Sequence, residues 1–333
     1  MAKGKLLVGL ICMCLAASTT AKAETIFKFS MAAPEKTPWA KNAYDISKSV
    51  QNATDGAIKI HVFSGSQLGN EQDVIRQVAR GRIQMGSFSN TAASLMIPEI
   101  ALLAAPYLWS SMQEADCVLD EHLISVFQQK FVDKGLRILG WSEVGQMGYA
   151  FMKPIGAVAN LSGKKLRVAP TKASSITARN YGATSVPLPI TEVASALQTG
   201  MVDGADLPSL AFTSLGFGKI ASNWLQTNHS HQVGVVLISE KVWKRLSSTE
   251  QEQFLGAQTP PQLLRKQVRG AERFTLTKFV EGGGTIVKPS KVDLKMWRSK
   301  AEKARGELVE ALGGDARKIY QQILDAKEHC AQS

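Results

Sequence analysis

The chain has 333 residues, of which 44% are hydrophobic and 20% charged. That length can bury two lobes with cores of their own, and the composition excludes a low-complexity or disordered chain. The formal charge of +11 is spread along the sequence without interleaved aromatics, which speaks against a nucleic-acid surface and for a solvated basic exterior.

Lys3 and Lys5 give a positive start, and Leu6 to Ala17 is an apolar run of about a dozen residues, too short for a comfortable membrane span. Ala21-Lys22-Ala23 has the small-x-small form of a leader cleavage site, so the mature chain is expected to be exported and to begin at Glu24. Loss of Lys3, Lys5 and Lys22 would lower the charge to +8 (11 − 3). Cys12 and Cys14 would leave with the leader. Cys117 and Cys330 remain, and in an oxidising compartment they are either a disulfide or two buried thiols; spacing alone does not decide.

Thr25 to Met31 alternates and reads as a strand, followed by a loop with Pro34 and Pro38. A helix is predicted from Trp39, with Ala43, Ile46 and Val50 at helical spacing, ended by Asp55-Gly56. Ile58, Ile60 and Val62 mark a second strand, Glu71 to Arg80 a helix and Ile83 to Phe88 a third strand. This β-α-β-α-β order predicts a parallel sheet with helices on its faces, and ligands in such sheets sit beyond the carboxyl ends of the strands. The loops Ala33–Pro38 and Ser87–Ala92 are therefore expected at one cleft edge.

Leu136 to Trp141 is another strand, and near Gly145–Gly148 the chain is expected to cross into a second lobe. There Leu166 to Ala169 reads as a short strand, Ala173 to Tyr181 as a helix and Thr184 to Val186 as a strand. Thr191 is a plausible N-cap for a helix to Gln198, with Gly200 behind it and a strand from Met201 to Asp206. Gln232 to Ser239 returns as a strand. Ser247-Ser248-Thr249-Glu250 has the form of a capping box, and Pro260-Pro261 must break or kink the helical stretch that runs to Glu281. A short strand at Thr285–Val287 and a helical C-terminus complete the chain.

Arg167 is the strongest candidate for chemistry. It lies on a short strand facing the expected gap between lobes, and its planar fork matches a carboxylate with two parallel hydrogen bonds. Asp203 and Asp206 could act as acid and base or ligate a cation, but read more simply as a turn residue and a partner for Arg167. His229-Ser230-His231 could face a metal, although no third ligand is apparent. No G-x-S-x-G elbow, phosphate-binding glycine loop or C-x-x-C motif occurs. Trp39, Trp141, Tyr149 and Phe212 lie near expected cleft edges as walls or as core.

Three segments carry a resemblance: Ser66-Gln67-Leu68-Gly69, Gly163-Lys164-Lys165-Leu166-Arg167-Val168, and Glu192-Val193 through Ala196-Leu197-Gln198-Thr199-Gly200-Met201-Val202-Asp203-Gly204, with weaker support from Pro98-Glu99 and Pro106-Tyr107. Together they resemble the DctP-like substrate-binding subunits of tripartite ATP-independent periplasmic (TRAP) transporters. The resemblance implies an α/β, two-lobed periplasmic binding protein fold, each lobe a mostly parallel sheet flanked by helices, with a ligand cleft between them. It also implies a periplasmic location and partnership with one small and one large membrane subunit. The expected division puts 24–144 plus about 233–275 in lobe I, and 145–232 plus about 276–333 in lobe II.

Arg167 stands at the family's carboxylate-binding arginine. Gln146 or Met147 stands where many relatives carry a second arginine, and Ser89-Asn90 where sialic-acid binders place an acid. These departures point to a less polar monocarboxylate, a keto, hydroxy or aromatic acid, contacted by Arg167, Asp206, Gln146, Ser89, Asn90, Trp39 and Phe212, with no metal or cofactor. Competing readings are an exported lyase or hydrolase built on Asp203 and Asp206, and a sensory adaptor for a membrane kinase.

Overall fold

The computed structural model describes residues 24–155 and 161–331; the expected leader and its cleavage site lie outside them. Ten strands form one continuous sheet among the described residues. They are β1 (Thr25–Met31), β2 (Ile58–Phe63), β3 (Met85–Ser89), β4 (Leu136–Phe151), β5 (Lys165–Val168), β6 (Thr184–Pro187), β7 (Gly204–Pro208), β8 (Asn223–Leu225), β9 (His231–Ser239) and β10 (Thr285–Val287). The order is β2-β1-β3-β9-β4-β7-β5-β6, with β8 pairing β4 and β10. Parallel triplets β2-β1-β3 and β7-β5-β6 form the two lobes, as the repeated βαβ pattern predicts.

The lobes are joined by β4, which is longer than the sequence suggested. Leu136 to Gln146 pairs antiparallel with β9, and Met147 to Phe151 continues along β7. Register shifts at Ile138/Gly140 and Glu143/Gly145 mark bulges, the second at the crossing itself. Gly145 has φ +111, a conformation that L side chains rarely adopt, which allows the strand to bend there.

Helix Pro38–Ala53 is capped by Thr37, and helix Glu71–Ala79 by Asn70. Ser247 and Glu250 make the expected capping box of helix Ser248–Gly256. Pro260-Pro261 separates that helix from Pro261–Glu281, where Pro261 occupies the first turn and needs no amide partner. The prolines thus start the long helix and do not bend it. Thr191 is not a cap: Ile190–Glu192 is a 3₁₀ turn that leads directly into helix Val193–Gln198. The strand expected at Met201 begins at Gly204, after a turn in which the Asp203 carboxylate accepts from the Lys165 amide at 2.8 Å.

One core cluster, with Phe27, Phe29, Ile46 and Ile60, covers one face of the first lobe. A second covers its other face and extends to Ala173, Ile176, Leu308 and Ile319. Helix Ala316–Cys330 therefore packs on the first lobe, although its place in the sequence put it with the second. Cys330 and Cys117 are joined by a disulfide with Cα atoms 6.0 Å apart. Clusters around Tyr149, Leu166 and Trp297, and around Leu197, Phe212 and Trp224, flank the second lobe.

The second lobe's sheet is tight where β7 meets β4. A Cβ on Gly204 would fall 2.5 Å from the Phe151 ring and 2.8 Å from the Ala150 carbonyl oxygen. Gly204→Ala is expected to destabilise the protein by about 1–3 kcal/mol, read as a lower denaturant midpoint with an unchanged slope.

Candidate functional site

A cleft of about 940 Å³ of non-atom space, open solvent at its mouth included, lies between the lobes. The loops after β1 and β3 line one side through Ala33, Pro34, Ser89 and Thr91; β5, β7 and the helix Ser209–Ser214 line the other. The strand-end rule thus places the cleft correctly. Its walls are mainly apolar, with Trp39, Phe88, Val144, Met147 and Ile190 among them.

Among the described residues, Arg167 is the only lysine or arginine lining this cleft. It is 3% exposed, and its Nε and Nη1 donate to the Leu188 and Asp206 carbonyls at 2.9 and 2.8 Å. These two bonds fix the plane of the guanidinium, and Nη2 has no acceptor among the described residues. Burial lowers the Arg167 pKa to about 10, an effect opposed by Asp206, Glu71 and Glu192, so the group stays cationic at neutral pH. The guanidinium is therefore held in one orientation at the cleft wall.

Among the described residues, the only acidic one in the lining is Glu71, in the first turn of helix Glu71–Ala79. Its carboxylate accepts from the Ser89 amide at 3.1 Å and from the Ser89 hydroxyl. Burial raises its pKa; the Ser89 bonds and the Arg167 charge work against that rise. The sequence reading took Glu71 only as a helix start. An acid in the first helical turn beyond a parallel strand was the available signal, because that is where such folds expose side chains to ligand.

Of the seven residues expected at the site, Arg167, Ser89 and Trp39 line the cleft. Trp39 Nε1 donates to the Glu143 carbonyl, which fixes the indole as a wall. Gln146 does not line it. Ser142 and Val144 face the cleft, and the bulge at Gly145 shifts the phase by one so that Met147 follows them and Gln146 turns to the opposite surface. Phe212 is fully buried and stacks on Trp224 at 4.5 Å; its helix presents Ala211, Ser214 and Leu215 to the cleft. Asn90 is 2% exposed beneath the lining residues Ser89 and Thr91. Asp206 meets Arg167 through its carbonyl, while its carboxylate faces His229 Nε2 at 3.4 Å. Trp141 and Tyr149 are core residues. His229 and His231 diverge, the second pairing with Glu143 at 2.9 Å.

Beneath the crossing lies a charged network. Glu143, 1% exposed, accepts from His231 and from Arg269 Nε at 3.0 Å. Arg269 also forks onto Asp116, and Arg265 onto Asp120. Helix Pro261–Glu281 is thereby tied to both crossing strands. Burial alone would raise the Glu143 pKa, but His231 and then Arg269 outweigh it and hold the carboxyl below its usual value. A depressed carboxyl contributes stability that is fully present above its unfolded value of 4.5 and is lost as pH falls through the lower folded value. Denaturation at pH 7, 5 and 3.5 is expected to show this loss below about pH 4.5, and a smaller loss over the same interval in Glu143→Gln.

Residues 29–311 match the bacterial extracellular solute-binding protein family 7, DctP. A solute-binding protein of Roseobacter denitrificans is 28% identical over 257 residues, covering 77% of this chain and 79% of that one. The sugar acid binding protein DctPAm of Advenella mimigardefordensis, solved with galactonate, superimposes with a TM-score of 0.88 at 24% identity over 92% of this chain and 99% of that one. A TRAP periplasmic solute-binding protein of Bordetella bronchiseptica, whose bound density was assigned as pantoate, gives a TM-score of 0.84 at 25% identity over 91% and 99%. With two lobes on a shared sheet and a cleft between them, the chain belongs to the DctP family of TRAP-type solute-binding proteins, whose members bind organic acids.

Proposed function

We propose that this protein is the periplasmic receptor of a TRAP transporter for a monocarboxylate with an apolar body and one hydrogen-bond donor, delivered to a small and a large membrane subunit after leader cleavage at Ala23. The observation that carries the reading is that, among the described residues, a single oriented cation, Arg167, and a single acid, Glu71, line a largely apolar cleft. The ligand carboxylate takes the free edge of the fork. Its body lies against Trp39, Phe88, Val144 and Met147, and a hydroxyl donates to Glu71. No second cation among the described residues lines the cleft, so a second ionised carboxylate on the ligand would have no counter-charge there. The pantoate assigned in the Bordetella relative shares the single carboxylate and the branched alkyl body, and carries two hydroxyls where this reading requires one.

A receptor is favoured over an exported enzyme because Asp203 and Asp206 do not converge. The Asp203 carboxylate is held by the Lys165 amide and that of Asp206 faces His229. Mass spectrometry of the acid carried through purification, followed by a thermal-shift panel, tests the reading. Branched hydroxy and keto monocarboxylates are expected to raise the melting temperature above uronates and dicarboxylates. A panel in which only dicarboxylates or uronates act, or conversion of the bound acid on long incubation, would overturn it.

A further inference from the structure

Behind the crossover strand, on the side away from the cleft, lies a second recess with about 1200 Å³ of non-atom space, its mouth included. One wall is the segment Tyr107–Met112. The others are Gln146, residues of the loop between β8 and β9, and residues at and before the start of helix Lys291–Leu312.

The charge in this recess is of one sign. Lys288 and Arg298 line it, no aspartate or glutamate does, and neither cation forms an ion pair among the described residues. The nearby Asp293 carboxylate is engaged by the Ser290 amide and hydroxyl. The Arg298 guanidinium lies over the Tyr107 ring at 5.0 Å, held by an aromatic face and not by a carboxylate.

His231 also lines the recess and is 4% exposed. Its Nε2 is bonded to Glu143, while its Nδ1 is buried without a partner among the described residues. A buried polar atom is costly to leave without a bond, and the residue that carries this one lines the recess. The backbone is strained at the same spot: Tyr107 and Asn228 both have φ +47. Tyr107 is held there by its amide on the His229 carbonyl at 2.7 Å and its hydroxyl on the Thr227 carbonyl at 3.0 Å. Such outliers gather at ligand clamps.

We propose that this recess is a second binding site, for a small oxyanion, coupled to the cleft. Lys288 and Arg298 supply the charge, the amide groups of Gln146 and Asn228 supply donors, and His231 Nδ1 donates once the imidazole carries a proton on both nitrogens. The coupling runs through β4, because Gln146 faces the recess while the adjacent Met147 faces the cleft. An anion held from both sides of the crossing favours one arrangement of the lobes, and by linkage the cleft ligand and the anion alter each other's affinity by the same factor. The coupling rests on the receptor reading above; the binding of the anion does not.

The test uses the chain from Glu24 onward, with inorganic phosphate as probe at constant ionic strength. Calorimetry is expected to show saturable uptake of one phosphate, with a shift of the His231 Nδ1 nitrogen resonance. The double variant Lys288→Ala/Arg298→Ala is expected to melt as the parent does and to bind phosphate about tenfold more weakly or worse. Arg167→Ala is expected to retain phosphate uptake. Absence of saturable uptake overturns the proposal, as does uptake that Arg167→Ala abolishes and the double variant keeps, since phosphate would then be filling the cleft. Cleft affinity that is identical with and without saturating phosphate overturns the coupling, and it does so while monocarboxylate binding itself remains intact.

Discussion

Arg167→Ala is expected to weaken binding of the acid by about 2–4 kcal/mol, roughly 30- to 1000-fold. The loss has two parts. The carboxylate forfeits its fork, and the carbonyls of Leu188 and Asp206, which now accept from Nε and Nη1, lose the group that kept them matched. Arg167→Lys is expected to recover little, because an ammonium cannot hold both carbonyls and still present two parallel donors to a carboxylate. Calorimetry with the co-purified acid reads the affinity, and the ligand-free melting temperature separates a binding loss from a folding loss. Affinity equal to that of the parent would remove the anchor role from Arg167.

The second large effect concerns stability. Cys117 and Cys330 are separated by 213 residues, and the bridge ties the terminal helix to the first lobe. Closing so long a loop restricts the unfolded chain strongly, and loss of such a bridge typically destabilises by about 2–5 kcal/mol. Cys117→Ser/Cys330→Ser is expected to melt lower by on the order of 10 °C in the ligand-free state. The helix should still dock, because Ala316, Ile319, Ile323 and Ala326 remain buried in the same core. An unaltered melting temperature would show that this docking alone secures the C-terminus.

The fold was legible from period and punctuation. Alternation marked β1 and β2, helical spacing marked Pro38–Ala53, and two βαβ patterns announced two lobes. Arg167 stood out less by its position than by the motif around it, and it does line the cleft as a buried cation. What stayed hidden were effects of phase and tertiary contact. A bulge adds one residue and reverses every side chain beyond it, so Gln146 and Met147 exchanged roles at Gly145. Phe212 sits one helical position from a lining residue, and tertiary contacts with Trp224 and Phe279 decide which way it faces. Pairing of the Asp206 carboxylate with His229 joins positions 23 residues apart, with no local pattern to reveal it. The disulfide likewise depends on where the last helix docks, which hydrophobic spacing does not specify.

A single sheet running through both halves has a consequence for how the molecule comes apart. The halves share strand β4, whose two segments pair in turn with β9 and with β7, and one core cluster joins first-lobe residues to Ala173 and Ile176 of the second. Heating should therefore give one calorimetric transition whose van't Hoff and total enthalpies agree, where lobes joined only by flexible tethers would melt in succession.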